Sequence, residues 1–69
     1  MYYITAKFKN IESIELYKMV EPLHLNVADM IEEVILYGEI ELYQLRYVDY
    51  VCHKFGSTEI TIRQQKEPV

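Results

Sequence analysis

The chain has 69 residues, a net charge of −4, one cysteine, no tryptophan and seven tyrosines. One domain of this size buries only about 60% of the surface its unfolded chain exposes, so its core must be dense or be extended by association. Cys52 alone excludes an internal disulfide and a thiolate zinc cluster, which leaves a homodimer or a bound partner as the expected way to extend the core.

Residues 2–9 alternate with period two. Ile4, Ala6 and Phe8 point one way and Thr5, Lys7 and Lys9 the other, the pattern of a half-buried strand. Asn10 is placed to cap a helix over 11–21, whose Leu16, Met19, Val20 and Leu23 keep helical spacing; Pro22 ends it. Asn26 is read as the cap of a second helix, with Val27, Met30, Ile31, Val34 and Ile35 on its buried face. Gly38 is read as the residue that stops it.

Segment 39–55 fits two readings. As a helix it gathers Leu45, Val48, Val51, Cys52 and Phe55 on one face and stops at Gly56; as strands it alternates Tyr43, Leu45 and Tyr47 with Gln44 and Arg46. The helix is preferred because the apolar spacing persists to Phe55. Residues 58–64 alternate again, with Ile60 and Ile62 inward and Glu59, Thr61 and Arg63 outward. The expected fold is α+β, ordered β-α-α-α-β, with the terminal strands paired antiparallel and the helices on one face. The alternative for 39–55 gives β-α-α-β-β. Residues 1–64 form the domain and 65–69 a flexible tail.

The longest apolar run, 34–37, is too short to span a bilayer, and no basic-then-apolar leader follows Met1, so the expectation is a cytoplasmic chain without a membrane partner. Charge is unevenly spread. Residues 10–45 hold eight carboxylates against Lys18 alone, a net −7, between ends that carry +2 and +1.

No catalytic or cofactor-binding set emerges. Cys52 and His53 are adjacent and project about 100° apart on a helix, so they cannot chelate one ion together. His24 has no second ligand at a useful spacing, and Gly38 and Gly56 stand too far apart to cradle a phosphate. The expectation is no enzyme, no cofactor, no metal and no small-molecule substrate.

Two groups suit a protein partner instead. Asp29, Glu32 and Glu33 would share one face of the second helix as an acidic contact surface. Tyr43, Tyr47 and Tyr50 fall at i, i+4 and i+7, beside the apolar face of the last helix. Tyrosine offers large contact area with few rotors and a hydroxyl for a wet rim. The leading expectation is a small acidic protein-binding regulator or inhibitor. The acidic middle also admits a nucleic-acid mimic that blocks a basic groove.

Over residues 4–37 the run Phe8, Leu16, Met19, Leu23, Leu25, Asn26, Met30-Ile31 and Val34-Ile35 resembles the ribbon-helix-helix repressors. That resemblance implies a dimeric DNA-binding regulator whose Thr5, Lys7 and Lys9 read bases in the major groove. Glu12 and His24 depart from the pattern. The −7 middle opposes phosphate binding, so nucleic acid is the lesser partner.

Overall fold

A computed structural model describes residues 1–64; the tail read at 65–69 lies outside the described residues. Four strands and two helices follow one another as β1 (Tyr2–Phe8), α1 (Ser13–Val20), β2 (Asn26–Asp29), β3 (Val34–Ile40), α2 (Leu45–Phe55) and β4 (Glu59–Gln64). The strands form one antiparallel sheet in the order β2-β3-β1-β4. Because β1 and β2 are both antiparallel to β3, they run parallel to each other with β3 between them, and β3 and β4 flank β1 in the same way. Two interleaved βαβ units of this kind make the split βαβ, or ferredoxin-like, topology. The fold is therefore α+β, with the terminal strands paired as the alternation of residues 2–9 and 58–64 requires.

The expected second helix is absent. Its residues form the hairpin of β2 and β3, closed by the four-residue loop 30–33 with Met30 N–H donating to the Glu33 carbonyl at 2.8 Å. The element order is thus β-α-β-β-α-β. The apolar spacing of Val27, Met30, Ile31, Val34 and Ile35 suits a helix, but the same run alternates. Val34, Leu36 and Ile40 are buried under the helices, while Ile35 and Tyr37 lie half-buried on the opposite face. An inner strand with apolar residues on both faces loses the two-residue contrast that marks an edge strand. Asn26 opens β2 rather than capping a helix, and Gly38 sits within β3 opposite Ile4.

The first helix is shorter than 11–21. Asn10 adopts φ 59° in the turn before it, and Glu12 occupies the N-cap position. Pro22 falls in a 3₁₀ turn over Glu21–Leu23, which ends at His24 with φ 57°. For 39–55 the helical reading holds from Leu45 onward. Glu41 and Gln44 close a capping box across the preceding 3₁₀ turn, with the Glu41 N–H donating to Gln44 Oε1 at 2.8 Å. At the other end Gly56 takes φ 66°. Its N–H reaches the His53 carbonyl at 3.2 Å and the Ser57 N–H reaches the Cys52 carbonyl at 2.9 Å, a Schellman stop.

Both helices cover the same face of the sheet. The core between them joins Ile4, Ala6 and Phe8 of β1 and Val34, Leu36 and Ile40 of β3 to Leu16 and Val20 of α1 and Val48, Val51 and Cys52 of α2. Phe8 and Phe55 meet edge to face at 6.5 Å, tying the end of β1 to the end of α2. Among the described residues no polar or charged side chain is buried. Ile60 and Ile62 project to the helix side opposite Ala6 and Ile4, yet they remain 40% and 49% exposed because the helices do not cover the β4 edge.

Candidate functional site

The tyrosines of α2 and its preceding turn stand where helical spacing places them, outside the core stripe of Val48, Val51 and Cys52. Tyr43 is 80% exposed and Tyr50 54%, while Tyr47 is partly sheltered. Tyr47 donates its hydroxyl to the Met19 carbonyl at 2.7 Å, which pins the ring across the seam between α1 and α2. Its ring lies 6.4 Å from that of Tyr50, and Lys54 Nζ sits 6.0 Å above the Tyr50 ring. The result is an aromatic surface with one anchored ring, one free ring and one ring under a cation. Anchoring lowers the side-chain entropy lost when a partner covers the surface.

The acidic trio does not join it. Asp29 closes β2 and Glu32 and Glu33 lie in the β2–β3 loop, so the three carboxylates share no helix face. They lie at the end of the sheet where Phe8 pairs with Val34, whereas Tyr43 precedes α2 just after Ile40 ends β3 at the other end. Asp29 accepts a hydrogen bond from Ser13 Oγ at 2.9 Å, which fastens the end of β2 to the start of α1. The fully exposed Ile31 and the half-exposed Met30 dilute the charge of this loop with apolar surface.

Thr5 and Lys7 do face away from the helices, as alternation requires. They lie on β1, which is paired on both sides by β3 and β4. A ribbon-helix-helix dimer needs an unpaired first strand and a helix over 26–37, and this chain has neither. The uncovered sheet face instead sets Tyr3, Thr5 and Lys7 between Glu39, Tyr37 and Ile35 of β3 and Arg63, Thr61 and Glu59 of β4. The sequence pattern marks only the Thr5 and Lys7 part of this face, because Ile35 and Tyr37 fall in the segment whose spacing reads as a helix. Lys7 Nζ lies 3.5 Å from Glu59, so part of its positive charge is already balanced.

Cys52 is buried and His53 exposed, on different sides of α2. Desolvation, helped by the negative charge of Asp49 and opposed by a hydrogen bond with Ser57, pushes the Cys52 thiol up to about 11. A thiol held protonated in this way is a packing group, not a nucleophile. The His53 ring lies against Asp49, with Nδ1 2.9 Å from the Asp49 carbonyl oxygen. Among the described residues, no group of three or more potential metal ligands comes together, and no helix is long and apolar enough to cross a membrane.

The fold and surface thus define a small split-βαβ domain with one covered and one open sheet face. No known protein family, curated protein or solved structure matches the chain.

Proposed function

We propose that the chain is a non-enzymatic protein-binding domain, a regulator or inhibitor that docks a protein partner on the tyrosine surface of α2. The observation that carries this reading is the exposure of Tyr43 and Tyr50 beside a Tyr47 already immobilised on the Met19 carbonyl. Exposed aromatic rings on a rigid helix are the residues that dominate binding energy at protein interfaces. The contacts of the core do not depend on Tyr43 or Tyr50, so their surface is free for a partner. The test compares affinity capture from the native host by the wild-type chain and by the double variant Y43A/Y50A, at matched thermal stability. A protein retained by the wild type and lost by the variant supports the reading; an identical set of retained proteins refutes it.

A second reading rests on the open sheet face. Tyr3 and Tyr37 stand on the two central strands with Thr5, Lys7 and Arg63 beside them, a layout on which single-stranded bases stack in other four-stranded sheets. Glu39 and Glu59 offset the two cations on this face, so it lacks the positive surplus that nucleic-acid affinity draws on. The protein-binding reading is therefore the stronger.

A further inference from the structure

The outer edge of β4 is unpaired among the described residues, since β4 ends the sheet. An unpaired strand presents a row of free N–H and C=O groups and is ordinarily blunted by shortness, proline or inward charge. β4 has six residues and none of these protections: it reads Glu-Ile-Thr-Ile-Arg-Gln and holds Ile60 and Ile62 half exposed on the helix side. The other edge, β2, is four residues long and ends at Asp29.

We propose that a second copy of this chain pairs with β4, antiparallel, about a twofold axis through Thr61. The strand is complementary to its own reverse about that residue. In this register Glu59 of each copy faces Arg63 of the other, Ile60 faces Ile62, and Thr61 faces Thr61. Opposite residues of an antiparallel pair project to the same side, so the isoleucines meet on the helix side and the charges on the open face. Shifting the register by two residues sets Glu59 against Thr61, or Arg63 against Thr61, and loses both ion pairs. Twofold axes pass through both the hydrogen-bonded and the non-hydrogen-bonded pairs of an antiparallel ladder, so a Thr61 centre uses whichever backbone groups β4 turns outward.

The product is a continuous eight-stranded sheet with all four helices on one side. The four half-exposed isoleucines form a single strip across its centre. Lys7, 3.5 Å from Glu59 within one copy, continues the charge row inward from the seam. Exposed ion pairs add little affinity, so here they select the register while the backbone bonds and isoleucines hold it. The α2 tyrosines are not part of this seam. Tyr47 leans onto α1, while Cys52, His53 and Gly56 line the hollow beside Ile60.

The test is a charge swap read by sedimentation equilibrium on the full chain. The wild type should associate to twice 8.3 kDa. E59R or R63E alone places like charges across the seam twice over and should weaken the dimer about tenfold, whereas E59R/R63E should restore it to within about threefold. Y43A/Y50A should leave the dimer unchanged, so this inference and the proposed partner surface stand or fall separately. Thr61→Cys supplies a second readout, because thiols opposite one another on the axis fall within disulfide reach. It should cross-link under mild oxidation faster than a Lys18→Cys control. A wild type that sediments at 8.3 kDa throughout overturns the proposal, as does a dimer that the double swap fails to rescue or a T61C chain that cross-links no faster than the control.

Discussion

Leu25 lies across the bare Cα of Gly38: a Cβ at that glycine would come within 2.8 Å of Leu25 Cδ2. The contact lets the segment leading into β2 close over the middle of β3, where Gly38 faces Ile4 of β1. Gly38 also holds φ 147°, a conformation that residues with a Cβ rarely adopt. Gly38→Ala must meet both the crowding and the backbone strain. It should cost about 2 kcal/mol, or roughly 10 °C in Tm for a domain of this size. Thermal unfolding followed by circular dichroism measures this, and an unchanged Tm would show that β3 relaxes freely at this point.

The two kinds of tyrosine on the surface should separate by stability. Tyr47→Phe removes the hydroxyl that donates to the Met19 carbonyl and should lower stability by about 1 kcal/mol. Tyr43→Phe removes a hydroxyl from a ring that is 80% exposed and should be neutral within about 0.5 kcal/mol. Urea midpoints at constant slope compare the two. Equal losses would mean that Tyr43 is part of the core and not a free contact residue.

Cys52 makes a prediction with a sign. Its pKa is raised from 9.0 to about 11, chiefly by burial, so the folded state favours the neutral thiol. The unfolded chain ionises first as pH rises. The stabilising contribution is therefore complete below pH 9 and is lost as pH climbs from about 9 to about 11. The measurement is the difference between the pH dependence of the wild type and that of Cys52→Ala. The wild type should lose more stability across that window. Parallel pH curves would show that ionisation of Cys52 does not contribute to this loss.

Much of this fold was legible from period and punctuation. β1 and β4 alternate cleanly because one face of each is wet, and α2 announces itself by a core stripe ending at Gly56. The hairpin was not legible. β3 is an inner strand with Ile35 and Tyr37 on one face and Leu36 and Ile40 on the other, so local apolar spacing fits a helix as well as a strand. Gly38 strengthened the error: a glycine after an apolar run reads as a helix stop, and its true role depends on Leu25, thirteen residues earlier in the chain. The candidate site followed the same division. Helical spacing suffices to set Tyr47 and Tyr50 on α2, with Tyr43 in the 3₁₀ turn before it, whereas grouping Asp29, Glu32 and Glu33 needs a helix where the chain forms a strand and a loop.

Docking of a protein partner on α2 is read by backbone amide shifts recorded by NMR while the captured partner is titrated in. Changes should cluster over residues 42–54, led by Tyr43, Tyr47 and Tyr50, and leave Tyr3, Tyr37 and Thr61 on the open sheet face undisturbed. Changes centred on Tyr3, Tyr37 and Thr61 with α2 silent would contradict it.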